Sequence, residues 1–267
     1  MSGIKMKTEK LILLINDDGV RSAGLMAAWK RLKRLGEVLV IAPEEHMSGA
    51  GKSISVGKKL RVREHRMGGV LVYSISGTPA DCILIGLFKL VRRMPDIVVS
   101  GINMGPNLGL DDFFSSGTVG AALEASIHGI KSVCASYCTL VPEGPSDDLN
   151  RAAKIIGELV EILLAKGFPP EVDVLSLNFP VNFKGPIKLT KLARSPYPDV
   201  FEEIYPRSYR WKPWQMELYE EEEGSDVSAV MEGSVSLTPI SLECLSSIPF
   251  HPKLREIAVE LNRRMGY

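Results

Sequence analysis

The chain has 267 residues, 45% hydrophobic and 24% charged, with Lys+Arg and Asp+Glu balanced at 32 each. That composition is globular, with room for one large α/β domain or two modest ones, and zero formal net charge argues against nucleic acid or an anionic membrane as the main partner. No apolar run nears the ~20 residues of a spanning helix, and MSGIKMKTEK leads into only five apolar residues, short of the roughly 7–15 of a signal peptide, so the expected address is cytoplasmic.

In chain order, LILLI (Leu11–Ile15) reads as a strand buried on both faces, and it runs straight into Asn16-Asp17-Asp18-Gly19. A helical pattern follows over 23–35, stopped by Gly36, then the strand EVLVIAP ending at Pro43. After the polar loop EEHMSGAGKSIS, strand-like runs near 60–63 and 70–75 flank Gly68-Gly69 and predict a hairpin. Thr78-Pro79-Ala80-Asp81 opens a helix, with Thr as N-cap, Pro at the first position and an acid in the first turn.

Strand DIVVS (Asp96–Ser100) leads to a long Gly/Asn/Asp loop, the small-residue helix TVGAALEASIHG and the strand SVCAS. A helix over 147–165 and the strand VDVLSLNFP continue the alternation. Beyond Pro186 it breaks into a Pro- and aromatic-rich excursion, 196–225, whose prolines exclude a packed helix or central strand. The acidic run Glu220–Glu223 reads as a solvated loop, because contiguous carboxylates are tolerated in water and costly elsewhere. Strand SVSLTPI and an amphipathic helix, Pro252–Met265, close the chain. Apolar strands alternating with helices predict a mostly parallel sheet covered on both sides.

Cys82, Cys134, Cys138 and Cys244 form no C-x-x-C pair and read as free thiols, those in VCASYC buried. His46, His65, His128 and His251 are scattered singly, so zinc is poorly served, and no histidine is assigned as a general acid.

In an open parallel sheet, ligands bind beyond the carboxyl ends of strands. Four polar loops sit there: Asn16-Asp17-Asp18-Gly19, Ser48–Ser53, Ser100–Gly109 and Ser115-Ser116-Gly117-Thr118. Their donors are carboxylate, hydroxyl and carboxamide oxygens, which suit Mg²⁺ or Mn²⁺, and a divalent cation would relieve the repulsion between Asp17 and Asp18. Ser116-Gly117-Thr118 at a helix N-terminus reads as a phosphate cradle. Together these point to metal-dependent hydrolysis of phosphate esters. Gly51-Lys52-Ser53 resembles the end of a P-loop, but His46 stands where that motif needs glycine and no helix is predicted after it.

ILLINDDGV, IAPEEHMSGAGKSIS, GTPADC, DIVVSGINMGPNLG and SSGTVGAALE, in this order, resemble the SurE family of survival-protein nucleotidases, and SLNFP and DVSAVMEGSVSLTPI extend the match over nearly the whole chain. The resemblance implies an α/β, Rossmann-like three-layer domain over 1–183, and a smaller C-terminal β-rich excursion with a terminal helix over 184–267. It implies a metal-dependent phosphomonoesterase acting on nucleoside 5′- and 3′-monophosphates, with short polyphosphate as a further substrate. One divalent cation per subunit, Mg²⁺ or Mn²⁺, would sit on Asp17, Asp18, Ser48 and Asn103, with Asp17 and Asp18 catalytic. Asn16, Gly19, Asn107, Ser116, Gly117 and Thr118 would line the phosphate and substrate site. Arg21-Ser-Ala-Gly24, the insert-like LDDFFS and Ser115 depart from the family pattern and bear on the shape of the substrate pocket. The resemblance also implies a homodimer or homotetramer exchanging C-terminal elements, with Ser246–Pro249 as hinge. A nucleotide-sugar glycosyltransferase and a non-catalytic nucleotide-binding protein are the rival readings.

Overall fold

The fold is given by a computed structural model, which describes residues 9–139, 146–212, 219, 222–246 and 252–265. Strand β1 (Leu11–Ile15) leads to helix α1 (Ala23–Leu32), β2 (Glu37–Pro43) and a hairpin of β3 (Val62–Met67) and β4 (Val70–Ile75). Helix α2 (Pro79–Ile85) runs on into a π-helical turn at Gly86–Leu90 and is followed by β5 (Ile97–Met104). Then come α3 (Gly109–Ser115), α4 (Gly117–Ile127), β6 (Ser132–Cys138), α5 (Asp147–Lys166) and β7 (Val174–Pro180). The remainder holds β8 (Ile187–Leu189), β9 (Phe201–Tyr205), β10 (Ser208–Trp211), α6 (Asp226–Met231), β11 (Val235–Ile240), α7 (Leu242–Ser246) and α8 (Pro252–Met265).

One nine-stranded sheet runs in the order β3-β4-β2-β1-β5-β6-β7-β11-β8. From β4 to β7 every neighbouring pair is parallel, while β3 and β11 join their neighbours β4 and β7 antiparallel. All five residues of β1 are buried, and they divide by the two-residue period of a strand. Ile12 and Leu14 pack with Leu25 and Leu32 of α1 and Ile156 and Val160 of α5. Leu13 and Ile15 pack on the other side with Ile83 of α2 and Ala121 and Ala125 of α4. Three layers result, as expected for a continuous apolar strand.

Local chemistry fixes the helix ends. Thr78 Oγ1 accepts from the Asp81 amide at 3.1 Å while Asp81 Oδ2 accepts from the Thr78 amide at 2.9 Å, a reciprocal box that starts α2 at Pro79. Ser22, Ser116, Ser146 and Ser225 cap α1, α4, α5 and α6 in the same N-terminal position. Cys82, Cys134 and Cys138 are buried free thiols, and burial pushes Cys134 up to about 11.

Some elements differ from expectation. The sequence-predicted loop after Ser100 is in part strand: β5 runs to Met104, with an irregularity against β6 between Ser100 and Asn103. LDDFFS is not loop but helix α3, with Asp111 and Asp112 in its first turn, where acids favour the helix N-terminus. The excursion holds a two-stranded ribbon, β9–β10, outside the main sheet, which prolines permit because it has no central strand. Glu222, of the acidic run, lies at the surface and pairs with Lys191 at 2.5 Å; Glu220 and Glu221 fall outside the described residues, as do Trp214 and the hinge residues Ser247–Pro249. No helix among the described residues is long and apolar enough to cross a membrane.

Candidate active site

The parallel strands run outward from β1 in two directions, to β2 and β4 on one side and to β5, β6 and β7 on the other. The chain order therefore reverses between β1 and β5, the place where such sheets leave a crevice. Asn16-Asp17-Asp18-Gly19 leaves the end of β1, and Asn103 lies near the end of β5.

Turn chemistry holds the first loop. Asn16 donates Nδ2–H to the Gly19 carbonyl at 3.2 Å, and Gly19 adopts φ +93°, which a side chain would resist. Asp17 is only 3% exposed. Its Oδ2 accepts from the Thr118 amide at 3.1 Å and its Oδ1 from the Thr118 hydroxyl at 2.5 Å. That grip needs the start of α4 to lie almost on the aspartate. A Cβ on Gly117 would stand 2.9 Å from Asp17 Cβ and 3.0 Å from Pro79 Cγ, so glycine is required there by space. Asp18 Oδ2 accepts from the Met104 amide at 3.2 Å and from the Ser22 hydroxyl at 3.4 Å. Strand β5 and the cap of α1 thus both fix it.

Burial raises the pKa of Asp17, against the pull of the Thr118 bonds. Burial, and then the charge of Asp17, push Asp18 up to about 7. Two adjacent desolvated carboxylates that hold their protons this strongly are poised to gain from a cation.

The other expected donors converge on the same place. Asn103 gives Nδ2–H to the Gly105 carbonyl at 2.9 Å, leaving Oδ1 as the end available to a cation. Ser48 is exposed on the loop after β2 and shares a 2.6 Å hydrogen bond with His46 Nε2. Asn107 is nearly buried; its Nδ2 gives one N–H to Ser136 Oγ at 2.6 Å and has a second to offer. Its backbone is clamped by Asn178, which accepts from the Asn107 amide at 2.9 Å and donates to its carbonyl at 3.0 Å. Ser116 caps α4 through Oγ, which accepts from the Val119 amide at 3.1 Å. Asp17, Ser48, Asn103, Asn107 and Ser116 all line one cavity of about 580 Å³. Asp18 lines a second cavity, of about 560 Å³, together with Arg21, Glu44, His65 and Arg66.

Thr118 takes a different place from the one the phosphate-cradle reading gave it. Its hydroxyl and amide are both spent on Asp17, and it is fully buried.

These donors fit a hard divalent cation. Among the described residues no three His, Cys, Asp or Glu side chains gather to hold a metal, so the set is two carboxylates plus a hydroxyl and a carboxamide. Mg²⁺ and Mn²⁺ accept such sparse oxygen sets by keeping several waters. Asn16 Oδ1, beside the acid pair, is buried without a hydrogen-bond donor, an oxygen that a hydrated cation would satisfy.

Two features escaped the sequence. His46 stands with Nδ1 3.4 Å from Asp18 Oδ1 and Nε2 on Ser48, bridging two of the expected ligands. Its position two residues before Ser48 was the available signal. The far wall of the 580 Å³ cavity is aromatic and acidic, built from Tyr197, Trp211, Tyr219 and Asp112. Tyr197 and Tyr219 both donate their phenolic O–H to the buried Asp112. Nothing in the spacing of the excursion announced that it lines the same cavity as these loops.

Comparison with known proteins places the chain in a family. The family model described as "Survival protein SurE" matches residues 12–199. A "5'-nucleotidase SurE" of Archaeoglobus fulgidus is 41% identical over 248 residues, covering 90% of this chain and 94% of that protein. One of Methanosarcina acetivorans is 41% identical over 253 residues, with the same coverage of 90% and 94%. Among solved structures, the SurE protein from Aquifex aeolicus superposes with a TM-score of 0.71 at 33% identity, covering 87% of this chain and 93% of that one.

Proposed function

The chain belongs to the SurE survival-protein family, and from that premise we infer how its own residues perform the family's reaction. It is a 5′-nucleotidase, a phosphomonoesterase that converts nucleoside monophosphates to nucleoside and phosphate. The nucleotide-sugar glycosyltransferase and non-catalytic alternatives find no support among these relatives.

One observation carries the mechanism: Asp17, Ser48, Asn103 and Ser116 line one cavity at the strand-order reversal, and Asp18, on the neighbouring cavity, is tied to Ser48 through His46. Asp17, Asp18, Ser48 and Asn103 would hold one divalent cation per subunit, Mg²⁺ or Mn²⁺. Bound there, the ion would neutralise charge on the phosphoryl oxygens and make a water acidic enough to serve as nucleophile. Asp18, hydrogen-bonded but less enclosed than Asp17, is the carboxylate placed to accept a proton. Asn107, through its second N–H, and Ser116, at the N-terminus of α4, would face the phosphoryl oxygens and stabilise them as negative charge builds. Gly117 admits the helix terminus, Thr118 holds Asp17, and Asn16 and Gly19 shape the turn beneath. His46 orients Ser48 from the solvent side.

The reading divides labour between 1–183, which supplies these loops, and 184–267, which walls the pocket and assembles subunits. The division is one of role, since β8 and β11 share the main sheet. A homodimer or homotetramer is part of the same reading, supported by the exposed apolar stripe of α8.

The test is direct. AMP hydrolysis should vanish in excess chelator and return with Mg²⁺ or Mn²⁺. Asp17→Asn and Asp18→Asn should each lose several orders of magnitude while melting like the wild type. Full turnover in chelator would sink the reading.

A further inference from the structure

Trp211 is the last residue of β10 and sits opposite Phe201 in the ribbon register. It lines the 580 Å³ cavity that also holds Asp17, Asn103 and Ser116, yet it remains 46% exposed. An indole half in water on the wall of a cavity is unusual placement for a packing residue, because the ribbon gains little from it.

Its neighbours hold it without covering it in parallel. The Tyr197 ring meets the indole at 5.3 Å between centroids and 89°, and the Phe201 ring at 5.3 Å and 79°. Among the described residues no ring lies flat upon it. Tyr197 is itself immobilised: its phenol donates to Asp112 and its amide donates to Asp111 Oδ2 at 2.5 Å. The first turn of α3 therefore anchors Tyr197, and Tyr197 braces the indole. A rigid aromatic surface, fixed edge-on by its neighbours, is the arrangement that stacks a flat heterocycle with little ordering cost.

The cavity is thus polar at one end and aromatic at the other. A phosphoryl group belongs at the acid pair and α4, and a neutral, flat, π-rich group belongs at the indole. We propose that Trp211, braced by Tyr197, is the stacking platform for the nucleobase, and that the ribbon makes this phosphatase prefer nucleotides over phosphate esters without an aromatic group. The proposal rests on the nucleotidase reading for the phosphate end. The aromatic end stands on its own geometry. Every base has a π-face, so a stacking platform tolerates different bases.

Loss of one base–aromatic stack weakens binding by roughly 5- to 150-fold. Steady-state kinetics of the full-length protein in saturating Mn²⁺, with AMP and with glycerol 2-phosphate, should show the ratio of their kcat/KM values falling by that factor in Trp211→Ala. The loss should lie in KM for AMP. Trp211→Leu keeps apolar bulk without a π-face and should fall similarly, and Trp211→Phe should restore most of the ratio. A ratio that stays constant across the three variants overturns the proposal, as does Leu restoring it as well as Phe. If the wild type hydrolyses no monophosphate, the nucleotidase reading fails and the platform is still decided by titrating tryptophan fluorescence with adenosine. A quench present in the wild type and absent in Trp211→Phe supports it, and an equal quench in both overturns it.

Discussion

Thr118 carries a contact that its place at a helix start does not announce. A threonine at the start of a helix beside a phosphate site reads naturally as a phosphate contact. Here its hydroxyl donates to Asp17 at 2.5 Å in a fully buried setting. A hydrogen bond to a buried carboxylate is worth about 1.5–3 kcal/mol, or roughly 10- to 150-fold if the lost energy falls on the active geometry. Thr118→Val should therefore lower AMP turnover by about 100-fold and also weaken cation affinity, so that excess Mn²⁺ partly rescues it; Thr118→Ser should keep most activity. Isothermal titration with Mn²⁺ checks this. An unchanged affinity in Thr118→Val would return the residue to the phosphate. The acid pair drew notice because four polar loops follow strands and two adjacent carboxylates repel, while Asn103 was placed only by the family resemblance. His46 drew none, since a lone histidine on a loop has many structural justifications.

Among the elements, α3 does the least expected work. LDDFFS looked like loop because glycines and asparagines precede it, yet its two acids favour a helix start and then reach out. Asp111 takes the Tyr197 amide at 2.5 Å, and Asp112 takes two phenols. Asp226, which opens α6, accepts the Gly109 and Ala193 amides at 2.9 Å each, tying the same helix to the C-terminal segment. Such long-range side-chain bonds leave no periodicity in a sequence, which is why the ribbon and its docking were invisible while β1, β2, β6, β7 and α5 were plain from apolar pattern alone. Burial raises Asp112 above its ordinary 3.8, the nearby Asp226 charge adds to this, and the phenols partly offset it. The sign follows: between 3.8 and the raised value the folded state keeps a proton that the unfolded chain has lost. Stability is then greatest below that window and declines as pH rises through it. Calorimetry in chelator should show the wild-type Tm falling as pH rises above 3.8, and Asp112→Asn falling less steeply. Parallel slopes would remove Asp112 from the account.

At the scale of the whole molecule, strand order places the chemistry and an unburied helix points outward. The alternation of apolar strands and helices implied the layered sheet, and the reversal between β1 and β5 follows from how those units wind. Helix α8 buries none of its residues, and Leu254, Ile257, Leu261 and Met265 are 49%, 49%, 56% and 68% exposed along one side. An apolar stripe at helical spacing left in water is unfavourable for a free chain. An apolar groove of about 390 Å³ lined by Ile155, Leu159 and Ile162 of α5 and Ile187 and Leu237 is a second such surface. Light scattering at micromolar concentration should show at least a dimer, and truncation after Ile248 should give a smaller species or a lower Tm. A monomer before truncation would reject assembly through this helix.

The ribbon begins at Phe201, just past residue 199 where the family match ends. On the proposed reading, the groups that break the bond and the aromatic surface that receives the leaving group lie on different stretches of chain, joined where Tyr197 and Tyr219 grip Asp112 and where Asp226 accepts from Gly109. Such an arrangement lets selection act on the two separately. On the proposed reading, substitutions in the ribbon would retune which esters are welcome while the loops carrying Asp17 and Asp18 stand untouched.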